Sequence, residues 1–164
     1  MSRTEIGTSL YAGLLFTVLG VVAWVSGEPF IFPSLGPSAF ILAFERTGER
    51  TRTYRVVGSH ALGVVAGFLA YTVFGAGVAL TSTPSGLSAA GLRLAASGVC
   101  SIVLTSWGMI AADVKHAPAC ATTLIVSLGL LSTPMQALTI VASVVVLVEV
   151  HWIALSVFDS LVGE

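Results

Sequence analysis

Two short apolar segments, each broken near its start by proline, alternate with four longer apolar runs. The short segments are 30–44, with Pro33 and Pro37, and 116–131, with Pro118. A hydrocarbon core of about 30 Å requires roughly 20 helical residues, which each longer run approaches or exceeds. These runs are 9–26, 56–80, 87–112 and 135–158. Because lipid cannot hydrogen-bond an unpaired backbone, such runs form helices. The sequence predicts an all-α integral membrane protein with four long transmembrane helices and two short half-helices broken by proline.

The composition agrees with this class. Hydrophobic residues make up 55% of the chain, charged residues only 9%, and the mean hydropathy is +0.98. We therefore expect one multi-pass membrane domain over 1–164, surrounded by the lipid bilayer, in the plasma membrane of a prokaryote. A net charge of -1 gives no basic surface for nucleic acid. Cys100 and Cys120 form no CxxC pair, so no disulfide framework, metal site or other cofactor is predicted.

The loop 45–55 predicts the sidedness of the chain. It holds four of the seven basic residues, and an excess of Lys and Arg in a short loop marks the cytoplasmic side. The crossing count then places Gly48 at the cytoplasm and Ser82 and Ser132 on the opposite side.

The two short segments also suggest an internal repeat. If each crosses the membrane by an extended approach followed by a half-helix, the chain makes three plus three crossings with opposite starting orientation. The predicted halves of this inverted repeat are 9–80 and 87–158, and the first half-helix is predicted to begin at Pro37, near mid-membrane. The alternative is that both segments are re-entrant loops, which leaves four crossings.

The N-termini of the half-helices are the predicted anion site. Their backbone N–H groups lack intrahelical partners and lie at the positive end of a helix dipole. Paired broken segments in two halves of a membrane protein also indicate a buried solute site. The predicted binding residues are Ser34, Gly36, Pro37 and Ser38 from the first segment and His116, Ala117, Pro118 and Ala119 from the second. The alternative is that the prolines only kink packed helices.

Charged and titratable residues inside the apolar runs are further candidates, because such residues usually pair or line a pathway. Arg93, six residues into its run, is predicted either to bind the anion or to snorkel to the interface. Glu149, ten residues from the end of its run, is predicted to be paired or protonated and to couple transport to protons. His60 and Asp113 are two more candidates for proton coupling.

A GxxxG pattern at Gly63 and Gly67 predicts a helix face that another backbone approaches closely. The approaching helix could belong to the same chain or to a second copy in a homo-oligomer.

Several of these motifs together resemble a known family. The order Pro33-Ser-Leu-Gly-Pro-Ser38, then an arginine-rich loop, then Gly58-Ser-His60, then His116-Ala-Pro118-Ala is similar to the HPP family of small integral membrane proteins. The chain departs from the family's His-Pro-Pro motif by carrying Ala117 in place of the first proline. The resemblance implies transport of a small anion, with nitrite as the substrate of family members that have an assigned role.

We therefore expect a transporter or channel for a small inorganic anion, nitrite-like, rather than an enzyme. One alternative is a membrane scaffold or accessory subunit. Another is an intramembrane enzyme built on Asp113, His116 and Cys120, which no catalytic motif in the sequence supports.

Overall fold

The computed structural model describes residues 3–81 and 84–162, so the predicted position of Ser82 lies outside the described residues. Every regular element within them is helical, which confirms the predicted fold class. The helices are α1 (Arg3–Ser26), α2 (Leu35–Phe44), α3 (Thr53–Ala70), α4 (Ala89–Ala111), α5 (Ala119–Ser127) and α6 (Pro134–Val162). Four of them, α1, α3, α4 and α6, are long and apolar enough to cross a membrane.

The long helices differ from the prediction mainly at their ends. α1 begins at Arg3 rather than at residue 9, and α6 continues past residue 158 to Val162. α3 closes with a π-helical turn, Tyr71–Gly75, instead of continuing to residue 80. At this end Arg93 of α4 donates to the carbonyls of Phe74 and Ala76, at 2.9 and 2.7 Å, and so satisfies carbonyls that the helix leaves unpaired.

The two half-helices contain 10 and 9 residues, which corresponds to about 15 and 14 Å. α2 begins at Leu35, so the predicted start at Pro37 is wrong by two residues. Pro37 instead lies in the first turn, where the missing N–H costs no intrahelical bond. α5 starts after Pro118 and ends at Ser127, where Gly129 adopts a left-handed φ of 72° and Leu130 N–H bonds the carbonyl of Ile125.

α3 lies at the centre of the bundle and packs against α4, α5 and α6. α1 packs against α2 and α6, while α2 also contacts α6 and α4 contacts α5. The core between them is aliphatic, and its largest fully buried apolar side chains are Leu15, Leu19, Leu35, Leu42, Ile140 and Leu147. Large apolar side chains such as Leu10, Trp24 and Val99 are exposed on the outer faces, where a bilayer would cover them.

Contacts between helix ends define the two ends of the bundle. The end that carries residues 45–55, here called the loop end, also holds Asp113, whose carboxylate lies 3.0 Å from Arg55 Nη2. α6 returns to the loop end, where Trp152 Nε1 donates to Thr53 Oγ1 at 3.0 Å. α5 terminates at the opposite end, here called the far end, where Leu128 accepts a bond from the N–H of Leu80. The segment between α4 and α6 therefore runs from one end of the bundle to the other.

Gly63 and Gly67 face α5 of the same chain. A Cβ at Gly63 would lie 2.8 Å from the carbonyl oxygen of Ala119, and one at Gly67 would lie 2.8 Å from that of Thr123. Both glycines are buried. Of the two alternatives for the approaching helix, this structure therefore has the one within the same chain, because α5 occupies the face that Gly63 and Gly67 open.

Candidate functional site

The first turn of α2 and the approach to α5 meet inside the bundle. Ser38 Oγ on α2 lies 3.1 Å from His116 Nε2, three residues before α5. His60 on α3 joins both elements, with Nε2 3.1 Å from Ser38 Oγ and Nδ1 2.7 Å from Thr122 Oγ1 of α5. These four residues, here called the histidine cluster, are almost completely buried. His60 lies seven residues into α3, so the cluster is about 10 Å from the loop end of that helix.

Two further contacts hold the connection between α4 and α5 beside the cluster. Ser59 Oγ donates to the carbonyl of Val114. The hydroxyls of Thr105 and Thr123 lie 2.8 Å apart, which ties α4 to the first half of α5. The Asp113 backbone adopts a left-handed φ of 52° just after α4, which turns the chain toward His116. His116 is therefore positioned by fixed neighbours on both sides.

The hydrogen-bond capacity of Ser38 restricts the tautomers of both histidines. Its Oγ is 3.1 Å from three atoms, namely Ser34 O, His60 Nε2 and His116 Nε2. A hydroxyl donates once and accepts twice. All three contacts are satisfied only if Ser38 donates to the Ser34 carbonyl and accepts an N–H from each imidazole. Both neutral rings then carry their proton on Nε2, and His60 Nδ1 accepts from Thr122.

This arrangement leaves His116 Nδ1 without a donor. The side chain is only 2% exposed, and Nδ1 has no hydrogen-bond partner among the described residues. The backbone carbonyl of Arg50 lies near the ring without completing a bond to Nδ1. A second buried atom without a partner is Ser34 Oγ, at the N-cap of α2. A third, Ser127 Oγ, lies at the end of α5, at the far end. An unsatisfied buried polar atom costs free energy, so His116 Nδ1 indicates a place for a ligand or water.

A cavity of about 330 Å³, here called the vestibule, opens beside His116. It is lined by Ile41, Arg50, Lys115, His116 and Ala117. The Arg50 and Lys115 side chains are largely exposed and are paired with Glu45 and Asp113, at 3.2 and 3.3 Å. The vestibule thus has cations at its rim and a buried histidine at its base.

The N–H groups at the start of α5 are not free in this conformation. Those of Ala119, Cys120 and Ala121 each bond the carbonyl three residues earlier, at 3.0 Å. The N–H groups at this half-helix end are therefore not available as anion donors in this conformation. The groups that face the vestibule are the side chain of His116 and the cations Arg50 and Lys115.

The structure brings together only part of the predicted site. Ser34, Ser38, His116, Pro118 and Ala119 are buried, Gly36 is partly buried, and Pro37 and Ala117 are exposed. His60, proposed only for proton coupling, belongs to the histidine cluster. Asp113 pairs with Arg55 and Lys115, and no hydrogen bond joins it to His116 among the described residues.

Arg93 and Glu149 lie away from the cluster. Arg93 donates to carbonyls at the end of α3, at the far end, so this conformation does not bring it to the histidine cluster or the vestibule. Glu149 is exposed on the outer face of α6 and has no hydrogen-bond or ion-pair partner among the described residues, so of the two predicted states, paired or protonated, the structure does not show the pair. Glu149 lies closer to the loop end than its distance from residue 158 suggested, because α6 continues past the loop end to Val162. Trp152, about 4.5 Å farther along the helix, already lies level with Thr53, the first residue of α3.

The sequence reasoning did not assign Thr122, Arg50 or Lys115 to the site. Lys115 directly precedes His116, so its place at the site could have been predicted from the sequence. The place of Arg50 could not, because only the fold brings the loop 45–55 against the approach to α5. Among the described residues, no group of three or more His, Cys, Asp or Glu side chains is arranged to hold a metal ion.

Arg93→Gln is expected to lower the thermal unfolding temperature by a few degrees and to leave anion uptake unchanged. The variant loses the charged donors that satisfy two carbonyls at the end of α3, but it touches neither the cluster nor the vestibule. Circular dichroism of the purified protein and uptake into liposomes would measure the two effects. Loss of uptake in a folded variant would restore Arg93 to the site.

A comparison with family models supports the resemblance read from the motifs. The model described as HPP, transmembrane region, matches residues 2–160. No curated protein and no solved structure matches the chain. Since the match spans nearly all of its length, the chain belongs to the HPP family of membrane proteins.

Proposed function

We propose that this protein transports a small inorganic anion, such as nitrite, and that the anion enters the vestibule and binds at His116. The observation that carries the proposal is the position of His116, between a vestibule with two cations at its rim and a buried polar cluster. Both rim cations are ion-paired, but the loop 45–55 together with Asp113 and Lys115 holds five cations against three carboxylates, and such an excess of positive charge raises the local concentration of anions. The cavity of about 330 Å³ is large enough for a small anion with some of its water.

The bonding of His116 suggests that an anion binds together with a proton. Ser38 occupies Nε2, so the atom left to meet a ligand is Nδ1. In the neutral tautomer derived above, Nδ1 is an acceptor and would repel an anion. A protonated His116 presents an N–H donor and a positive charge at the same position. The proposed cargo is therefore one anion and one proton, whose charges cancel at the buried site.

The buried cluster favours a carrier over an open channel. Ser38, His60 and Thr122 have no exposed surface, so the path beyond His116 toward the far end is closed in this conformation. A carrier requires such a barrier, which opens only after the entrance closes.

The pattern of helix contacts supports the proposed inverted repeat. In this repeat α1, α2 and α3 of the first half correspond to α4, α5 and α6 of the second. The principal pairs of helices in contact then correspond to pairs that are also in contact. The α1–α2 pair corresponds to α4–α5, α1–α6 to α4–α3, and α2–α6 to α5–α3. Transporters with such repeats hold their substrate near the repeat interface, and the corresponding place here is where Ser38 of α2 meets His116 in the approach to α5.

Reconstitution in liposomes tests the function itself. Uptake of nitrite, nitrate, formate and chloride would be compared with that of protein-free liposomes, which report passive permeation of the acid forms. We expect nitrite uptake above this background. A folded, reconstituted protein that takes up none of the four anions would favour the scaffold interpretation.

Labelling of single cysteines tests the topology that a carrier with inverted repeats requires. In a background with Cys100 and Cys120 replaced by alanine, Thr47→Cys and Ser132→Cys should react with an impermeant thiol reagent from opposite sides, with residue 47 facing the cytoplasm. The two positions lie at opposite ends of the bundle, and the basic loop is expected inside. Reaction of both from the same side would rule out this topology.

A further inference from the structure

Arg46 differs from the other cations at the loop end. Each of the others forms an ion pair with a carboxylate. The pairs are Arg50–Glu45, Lys115–Asp113, Arg52–Glu49, Arg55–Glu49 and Arg55–Asp113. In the described part of the chain Arg46 has no carboxylate partner. Its guanidinium carbon instead lies 5.3 Å from the centre of the Tyr11 ring, in a cation–π contact. No acid among residues 3–81 and 84–162 therefore forms an ion pair with this positive charge.

Arg46 lies at an apolar groove between α1 and α6. The groove has a volume of about 540 Å³, within the range of pockets that hold small molecules. Its walls include Leu10, Leu14, Leu155 and Phe158, and Arg46 is the one charged residue among its lining residues. Leu10 is 70% exposed and Phe158 is 53% exposed, so the apolar walls face the surroundings of the bundle.

The position of Arg46 is fixed by the residues behind the groove. His151 Nε2 lies 2.8 Å from the backbone carbonyl of Arg46, and His151 Nδ1 lies 3.0 Å from the Tyr11 hydroxyl. His151 itself is fully buried. The Arg46 side chain is thus held beside the groove by its own backbone and by the ring of Tyr11. Its side chain therefore loses little conformational entropy when a ligand binds.

We propose that this groove binds an anionic phospholipid, with the phosphate on Arg46 and an acyl chain along α1 and α6. A ligand that fits must be amphiphilic and must carry its negative charge at the end of its apolar part. A guanidinium matches the geometry of a phosphate, and basic pockets between transmembrane helices are suited to anionic head groups. The uncharged walls accept hydrocarbon, so the charge of the head group decides which lipid is retained.

Native mass spectrometry of the purified protein would test this assignment. The full-length protein would be released from micelles that contain equal amounts of phosphatidylglycerol and phosphatidylcholine with identical acyl chains. We expect the wild type to retain phosphatidylglycerol roughly fivefold or more over phosphatidylcholine, because one cation near the surface contributes about that factor. Arg46→Gln should bring the two lipids to similar retention. Arg52→Gln, which removes an ion-paired arginine of the same loop, is the matched control and should keep the preference.

A second variant tests the apolar part of the groove with Arg46 intact. Gly7 lines the groove, and a Cβ there meets no atom within 4 Å, so Gly7→Phe should place a ring in the groove and reduce retention of both lipids. Because the acyl chain also contributes to binding, added inorganic phosphate should not displace the lipid. Equal retention of the two lipids by the wild type, or an unchanged preference in Arg46→Gln, would overturn the proposal. Both measurements are independent of transport, so they stand whether or not the proposed function does.

Discussion

Replacing His116 by glutamine should lower anion uptake at about pH 6 by tenfold or more and should remove its stimulation by acid. Glutamine can still hydrogen-bond Ser38, but it cannot carry a proton to the base of the vestibule. A hydrogen bond from a charged donor is worth about 1.5–3 kcal/mol, and 1.4 kcal/mol corresponds to a tenfold change. The expected loss therefore follows from one missing charge-assisted bond.

The direction of the pH dependence follows from which form binds. If the protonated imidazole holds the anion, wild-type uptake should rise as the external pH falls. Other titratable or charged groups lie close to His116 and could also contribute to the pH profile. They are His60, which shares Ser38 with it, the cations Arg50 and Lys115, and the carboxylates Glu45 and Asp113, which pair with those cations. Uptake at several pH values into liposomes with a fixed internal pH would give the profile.

His151→Gln is the matched control for this experiment. His151 is also fully buried and hydrogen-bonded, but to Tyr11 and Arg46, outside the cluster and the vestibule. The control should therefore keep the acid stimulation even if it is somewhat less stable. An unchanged pH profile in folded His116→Gln would remove the proposed proton from the mechanism, whereas equal losses in both variants would indicate a general effect on stability.

The long helices could be predicted from the sequence because bilayer thickness sets their length. The half-helices could also be predicted, because Pro37 and Pro118 interrupt runs that are otherwise apolar. The exact residues at which the half-helices start could not be predicted, since the first turn of a helix accepts proline at more than one position. Leu35 therefore begins α2 with Pro37 inside the first turn.

The partners of polar residues were much harder to predict. Arg93 satisfies carbonyls 17 and 19 residues earlier in the chain, a pairing that depends on where α3 stops. The roles of His60 and His116 were separated in the sequence analysis, one assigned to proton coupling and the other to binding. Only the fold, which places Ser38 of α2 beside His60 of α3 and beside His116 before α5, shows that both rings meet at Ser38.

Gly63→Ala should destabilise the protein by about 1–3 kcal/mol, the range expected for overpacking of a filled contact. The new methyl group would lie 2.8 Å from the carbonyl oxygen of Ala119 and 2.8 Å from Thr123 Oγ1. The backbone oxygen cannot rotate away, so α3 and α5 must separate. Because Thr122 bonds His60 from the same turn of α5, the separation should also disturb the histidine cluster and reduce uptake.

Gly13→Ala provides the matched comparison. A Cβ at Gly13, on the exposed face of α1, meets no atom within 4 Å, so this variant should be neutral or up to about 1 kcal/mol more stable through helix propensity. Unfolding in mixed micelles, followed by circular dichroism, would compare the two variants, and light scattering would report their oligomeric state. If Gly63→Ala left the free energy of unfolding unchanged but altered the oligomeric state, the glycine face would contact a second copy rather than α5. The close packing within one chain predicts the opposite result, a loss of stability with no change in the number of subunits.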